Sequence, residues 1–261
     1  MSFLRYLTVH SFRKYNPDWT IKIHVPTVVC GSQPSWDSFE QKHSNVSQDF
    51  FYRIMSLGVE IVKHDFEQYG FKNDVHEVYK ADFIRWKMLA EEGGLWSDAD
   101  IIYTKPVTDL VENVEENKDV EVVLCAYPSR LHAIGFLMSS PNNIFFKHIS
   151  EMAKEKLDLR NYQSIGCVLF NDYYRTKEII EEAFPVKCLF LHSYCVYSLN
   201  HTAIDFFYNK VVDITKAPPG AVGFHWYAGH PSSQQYENLV TNDNYGAYNN
   251  TMKLLIRQAL T

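Results

Sequence analysis

Apolar and polar residues alternate along the chain with two periods, one typical of helices and one typical of strands. Residues 1–15 have helical spacing up to Asn16-Pro17, residues 19–25 alternate as a strand, and residues 76–92 again have helical spacing. Further helices are predicted over residues 37–57, 141–157 and 246–260, and further strands over residues 59–64, 100–104, 120–127, 133–140 and within 220–229. This alternation is typical of an α/β protein with a central, mostly parallel sheet.

Composition restricts the classes of protein to which the chain can belong. Of the 261 residues, 46% are hydrophobic, and no linker or repeat divides them, so a single domain over residues 1–261 is expected. The net charge of −6 argues against a nucleic-acid partner, because phosphate backbones are bound by basic surfaces. No apolar run reaches 18 residues, so no transmembrane segment is expected. The cysteines lack CxxC spacing and lie mostly in apolar runs, which favours reduced thiols in a cytoplasmic protein.

Two aspartates one residue apart, Asp98 and Asp100, follow a Gly-Gly pair at the edge of an apolar run. On a continuous strand, residues i and i+2 project to the same side, so the two carboxylates would lie close together and repel each other. A divalent cation such as Mg²⁺ or Mn²⁺ removes that repulsion and prefers oxygen ligands. The plain alternative is a solvated turn with two surface acids, because Asp-x-Asp is common by chance.

The helix that precedes this pair carries Asp82 and Arg85, whose i, i+3 spacing places them on one face. An arginine offers a planar set of donors that suits phosphate or a carboxylate. The alternative is a surface ion pair within the helix, which contributes little to stability. Aromatic and apolar neighbours, Phe83 and Trp86 among them, argue against a wholly solvated face.

The segment KADFIRWKMLAEEGGLWSDADIIYTKPV resembles the signature of the DXD-containing sugar transferases of glycosyltransferase family 32. That family is related to α-mannosyltransferases, capsular polysaccharide transferases and the clostridial glucosylating toxins. The matching residues are Asp82, Arg85, Gly93, Gly94, Leu95, Trp96, Asp98 and Asp100. Trp96 replaces the usual tyrosine, and Glu92 replaces the usual basic or aromatic residue. This many matches at the right spacing are far more specific than a lone Asp-x-Asp.

The resemblance implies a GT-A type nucleotide-sugar-binding fold, with the ligand at the carboxyl ends of the strands. It implies a retaining transfer from a nucleotide sugar, with Mn²⁺ or Mg²⁺ on the diphosphate. By the same resemblance, the catalytic set is Asp98, Asp100 and Arg85, and the donor-binding set is Asp82, Arg85, Asp98, Trp96, Ala133 and Gly135. Trp96 would act by packing, and Ala133 and Gly135 through their backbone.

A late segment, FHWYAGH, resembles the family's stretch in which a histidine completes the metal site. His225 matches that histidine, whereas His230 and Pro231 stand where Ser-Trp is usual. The metal ligands implied are therefore Asp98 and Asp100 with either His225 or His230. The alternative for His225 is a core histidine packed among aromatic residues.

The sequence thus predicts a metal-dependent hexosyltransferase in the class that builds polysaccharides. Its expected partners are a nucleotide-sugar donor, UDP-hexose being favoured and GDP-mannose being the alternative, and a carbohydrate or other acceptor. Two other functions stay open, a metal-dependent phosphotransferase or phosphohydrolase and a catalytically inactive nucleotide-sugar-binding module. The expected location is the cytoplasm, with peripheral association with a membrane left open.

Overall fold

Helices and strands alternate in the computed structural model, which describes residues 1–31, 48–111, 119–129, 131–199 and 201–261. The helices are α1 (Phe3–Tyr15), α2 (Phe51–Ile54), α3 (Glu77–Glu91), α4 (Ile144–Glu155), α5 (Cys167–Tyr173), α6 (Lys177–Ala183), α7 (Asp205–Tyr208), α8 (Pro231–Leu239) and α9 (Thr251–Leu260). The strands are β1 (Ile21–Pro26), β2 (Val59–His64), β3 (Gly94–Ser97), β4 (Ile101–Tyr103), β5 (Val122–Ala126), β6 (His132–Ser139), β7 (Cys188–His192) and β8 (Gly223–His225). Short 3-10 helices cover Met55–Leu57, Phe66–Tyr69, Thr108–Leu110, Ser193–Cys195, His201–Ala203, Ile214–Lys216 and Tyr245–Ala247.

The strands in the described ranges form three sheets. A four-stranded sheet has the order β3-β6-β5-β7, β1 pairs with β2 in parallel, and β4 pairs with β8 antiparallel. The α/β class is therefore confirmed, but the expectation of a mostly parallel sheet is wrong for the described strands, because β6 is antiparallel to both β3 and β5. The physical reason is the short link from β5 to β6, since a parallel pair needs a crossover of a dozen or more residues.

Local signals explain the two helices that matter most here. The N-cap of α1 is Ser2, whose side chain accepts a hydrogen bond from the Arg5 N–H, and its C-cap is Asn16, where the sequence predicts the end of the helix. α3 ends before Gly93, which has a φ of 70°. A side chain at Gly93 would lie 2.6 Å from the Pro141 nitrogen, so this turn requires glycine.

Other predictions have mixed outcomes. The predicted strand over residues 59–64 is β2, and the predicted helix over residues 141–157 contains α4. The prediction of a helix over residues 37–57 lies partly outside the described residues, and its described part holds only α2 and a 3-10 turn. The sequence does not predict strand β3, which is only four residues long and begins with Gly94, and it does not predict helix α8.

Two buried apolar clusters support the elements that carry the polar residues. One lies between the four-stranded sheet and helices α3, α4 and α5. At its centre the Trp86 ring stacks on Phe170, with ring centroids 5.6 Å apart, and its Nε1 donates to the Ile165 carbonyl at 2.7 Å. The other cluster joins α1, α8 and α9 to β4 and β8. None of the helices in the described ranges is both long and apolar enough to cross a lipid bilayer. The single-domain organisation stays a prediction.

Candidate functional site

The two aspartates lie where the four-stranded sheet meets the β4–β8 pair. Asp98 directly follows β3, and its N–H donates to the Gly135 carbonyl of β6 at 2.8 Å. Asp100 directly precedes β4, and its carbonyl accepts the Trp226 N–H at 2.9 Å. The chain turns between them, so they do not lie on one continuous strand as expected. Each aspartate is instead fixed by the backbone of a different sheet.

The Asp98 carboxylate is held by two side-chain donors on the same oxygen. Arg85 Nη2 and Trp96 Nε1 each donate to Asp98 Oδ1 at 3.0 Å. The other oxygen, Oδ2, lies beside Gly135, at a position that a Cβ on that residue would overlap. The Asp98 side chain is 31% exposed, so it is both anchored and open to a ligand.

Behind Asp98, α3 supplies a buried ion pair. Arg85 Nη1 donates to Asp82 Oδ1 at 2.5 Å, and the two residues are only 5% and 6% exposed. Burial raises the pKa of Asp82 to about 6, although the Arg85 cation opposes this and the Asp98 carboxylate adds to it. The guanidinium thus bridges two carboxylates and lies 5.3 Å from the Trp96 ring centroid. A solvated ion pair on the helix surface is excluded.

His225 completes the group from the opposite strand. It lies on β8 directly across from Ile101, and its Nε2 is 3.1 Å from Asp100 Oδ1. The Ala228 N–H donates to Asp100 Oδ2 at 2.8 Å. Burial alone would raise the pKa of Asp100, but His225 and the Ala228 N–H outweigh burial and hold that pKa below its usual value.

Asp98, Asp100 and His225 each offer one ligand atom within 4.8 Å of the others. Two carboxylates and an imidazole fit a divalent cation, because the oxygens suit Mg²⁺ and Mn²⁺ and the nitrogen suits transition metals. His230 lies at the N-cap of α8, where its Nδ1 accepts the Ser232 N–H at 3.2 Å. The two histidines that the sequence left as alternatives therefore occupy different places, and His225 is the one that meets both aspartates.

Two other residues predicted to bind the donor, Ala133 and Gly135, lie on β6. Gly135 contacts the Asp98 carboxylate, as described above, whereas Ala133 is buried in an apolar cluster two residues earlier on β6. Sequence reasoning missed Tyr197, whose ring centroid is 4.8 Å from that of His225, and Gly166, where a Cβ would overlap the Asp82 carboxylate. No local pattern marks either residue, since each reaches the site through the fold.

A cavity of about 700 Å³ opens beside the two aspartates. Its walls include Asp98 and Asp100, the whole of β1 and β3, and parts of α1 and α3. Arg5 also lines it, with a side chain that is 37% exposed and an Nε that donates to Glu237 at 2.9 Å. The site therefore combines three side chains that could bind a divalent cation, the positively charged Arg5, and a cleft large enough for a nucleotide-sized ligand.

Comparisons with known proteins do not assign the chain to a family. No protein-family model matches the sequence, and no match is found among curated proteins. One solved structure that resembles part of the chain is the crystal structure of a glycosyltransferase involved in the glycosylation of the major capsid of PBCV-1. It is 14% identical, covering 69% of this chain and 85% of that one, with a TM-score of 0.32. A TM-score of this size does not establish a common fold, so the chemistry of the site has to be inferred from its own residues.

Proposed function

We propose that this protein is a metal-dependent glycosyltransferase that takes a hexosyl unit from a nucleotide sugar, with a UDP-linked donor favoured. The observation that supports this most is the meeting of Asp98, Asp100 and His225 at the edge of an open cavity. A cation shared by the two acids would offset the repulsion between them. A nucleoside diphosphate carries the complementary negative charge and needs such a cation to approach two carboxylates.

The metal, Mn²⁺ or Mg²⁺, would be held by Asp98, Asp100 and His225 and would offset negative charge on the departing nucleoside diphosphate. Asp100 would bind the metal directly, because backbone contacts at Trp226 and Ala228 already fix its position. Asp98 contributes its second oxygen, since its first is held by Arg85 and Trp96.

Arg85 acts in this proposal by holding carboxylates in place. Its two terminal nitrogens already donate to Asp82 and Asp98, and its side chain is almost fully buried, so it is not available to bind a phosphate group. We assign it the positioning of Asp98, with buried Asp82 as its second carboxylate partner. Arg5 offers the diphosphate a cation, because its guanidinium is partly exposed at the cavity wall.

The test is a donor screen. Purified protein is incubated with UDP-hexoses, UDP-N-acetylhexosamines and GDP-mannose, with Mn²⁺, with Mg²⁺ and with a chelator, and released nucleoside diphosphate is measured. Asp100→Asn removes one proposed ligand, and Asp18→Asn is the matched control at an exposed position. The proposal expects metal-dependent release that falls at least about a hundredfold in Asp100→Asn and is unchanged in Asp18→Asn.

Four results would contradict the proposal. Release that does not need a metal would exclude the metal role, and full turnover in Asp100→Asn would exclude that ligand. Hydrolysis of phosphate esters without release from any nucleotide sugar would favour a phosphohydrolase. Metal-dependent UDP binding with no turnover of any donor would favour an inactive binding module.

A further inference from the structure

A buried carboxylate on α8 holds the arginine that reaches the cavity wall. Glu237 is only 2% exposed, and its Oε1 accepts hydrogen bonds from Arg5 Nε at 2.9 Å and from Ser2 Oγ at 2.5 Å. Its other oxygen, Oε2, is buried and has no hydrogen-bond partner among the described residues. A buried carboxylate is costly unless it is paired, so Arg5 and Ser2 together determine where this one lies.

This contact places Arg5 next to the candidate metal site. Its guanidinium carbon is 6.0 Å from the centroid of the Trp226 ring, and the Trp226 N–H donates to the Asp100 carbonyl. One turn further along α1, Thr8 Oγ1 donates at 3.1 Å to the carbonyl of Ala99, the residue between the two aspartates. Arg5 and Thr8 share one face of the helix, and both line the cavity. Arg5 and the loop that carries the aspartates are thus fixed relative to each other.

The contact with Glu237 uses only one of the three guanidinium nitrogens. Among the described residues, neither terminal nitrogen of Arg5 has a hydrogen-bond partner, and the side chain is 37% exposed at the cavity wall. Burial raises the pKa of Asp100, whereas the hydrogen-bond partners of its carboxylate lower it, with a smaller contribution from Arg5. The charge of Arg5 therefore acts on the metal site. A planar pair of donors beside a divalent cation suits neighbouring phosphate groups.

We propose that Glu237 is a positioning residue, which with Ser2 fixes Arg5 by its Nε so that the two terminal nitrogens bind the phosphate groups of a nucleoside diphosphate. This inference rests on the proposed function for the nature of the ligand, and it adds the residue that sets the position of Arg5. An arginine without such a partner would lose side-chain entropy on binding, which weakens affinity. Donors fixed in this way recognise a second phosphate, so the protein should prefer nucleoside diphosphates to nucleoside monophosphates.

Two conservative variants separate the position of the carboxylate from its charge. Glu237→Asp keeps the charge but withdraws the carboxylate by one methylene, whereas Glu237→Gln keeps the length and an acceptor oxygen but removes the charge. Calorimetric titration in the presence of Mn²⁺ measures the affinity of the whole protein for UDP and UMP, and for GDP and GMP.

The position of the carboxylate should matter more than its charge. For the diphosphate that binds, we expect affinity to fall at least about fivefold in Glu237→Asp and no more than about twofold in Glu237→Gln. Affinity for the matching monophosphate should stay within about twofold in both variants. Glu151→Asp, at an exposed position on α4, is the matched control and should leave every affinity unchanged.

Arg5→Met tests the proposed phosphate donor itself. Diphosphate affinity should fall at least about tenfold, and adding Glu237→Asp should cause no further loss, because the two residues act through one contact. Binding of Mn²⁺ alone should not weaken, since the substitution removes a positive charge close to Asp100. Circular dichroism verifies folding. If Glu237→Asp does not fold, NMR of the unaltered protein decides the outcome, because the Arg5 Nε–H should exchange slowly with water even without nucleotide, and fast exchange would overturn the proposal.

Several results would contradict this role of Glu237. Unchanged diphosphate affinity in Glu237→Asp, an equal loss in Glu237→Gln, an equal loss of monophosphate affinity, or weaker binding of Mn²⁺ alone by Arg5→Met would each overturn it. Absence of Mn²⁺-dependent binding of both UDP and GDP to the unaltered protein would overturn it together with the proposed function. The expected pattern of affinities without turnover of any nucleotide sugar would contradict only the proposed transfer and leave the role of Glu237 supported.

Discussion

Substituting Gly135 by alanine tests whether the candidate site is as closely fitted as its distances indicate. A Cβ at this position would lie 2.7 Å from the Tyr197 hydroxyl oxygen and 2.9 Å from Asp98 Cγ, and it would overlap Asp98 Oδ2. Tyr197 is buried, whereas the Asp98 side chain is partly exposed, so Asp98 is the group that moves. Moving it would break the hydrogen bonds from Arg85 and Trp96 and withdraw one of the three proposed metal ligands.

The expected magnitude follows from those contacts. Overpacking costs roughly 1–3 kcal/mol of the free energy of unfolding. Losing one ligand should weaken Mn²⁺ binding at least about tenfold, equivalent to about 1.4 kcal/mol. Urea unfolding measures the first quantity and calorimetric titration with Mn²⁺ the second. Gly246→Ala is the matched control, because no atom lies within 4 Å of its added Cβ. If Gly135→Ala binds Mn²⁺ as tightly as Gly246→Ala does, Asp98 is not a ligand fixed beside β6, and the reasoning fails.

Four further substitutions test the other residues of the candidate site and the histidine that lies outside it. Burial raises the pKa of Asp82 from its usual 3.8 to about 6. Between these two pH values the folded state keeps a proton that the unfolded state releases. The free energy of unfolding should therefore fall by about 2–3 kcal/mol as pH rises from 3.8 to about 6. Asp82→Asn should remove most of this slope in urea titrations at pH 4.5 and 7, and an unchanged slope would assign it to other groups. His225→Ala should weaken Mn²⁺ binding about tenfold or more. His230→Ala should leave the affinity for Mn²⁺ unchanged and lower the free energy of unfolding by about 1 kcal/mol, because the N-cap of α8 is lost. The reverse pattern would contradict the assignment of His225 as the metal ligand. In Gly166→Ala, the added Cβ would displace the Asp82 carboxylate from Arg85. The free energy of unfolding in urea should fall by about 1–3 kcal/mol. An unchanged urea midpoint would show that the Asp82–Arg85 pair tolerates this displacement.

The sequence predicts the parts of this molecule that depend on near neighbours. The helix carrying Asp82 and Arg85 is recognisable from its apolar spacing, and the turn after it from Gly93 and Gly94. Local spacing also indicates that Asp98 and the helix face lie close together, since Asp98 is only thirteen positions after Arg85 in the chain.

Contacts between distant segments could not be predicted in the same way. Whether His225 or His230 meets the aspartates is decided by the register of β8 on β4, where Ile101 lies opposite His225. Tyr197 and Gly166 reach the site only because loops far along the chain fold back against it. The antiparallel β5–β6–β3 arrangement depends likewise on the length of a connection, which apolar periodicity does not report.

The central claim is that Asp98, Asp100 and His225 hold a divalent cation that binds a nucleoside diphosphate. Calorimetric titration of UDP and of GDP, with and without Mn²⁺, tests it most directly, in the unaltered protein and in Asp100→Asn. We expect at least one of the two nucleotides to bind only in the presence of Mn²⁺, with affinity lost at least about a hundredfold in Asp100→Asn. Equal binding of the nucleotide without metal, or unchanged metal-dependent binding in Asp100→Asn, would contradict the claim.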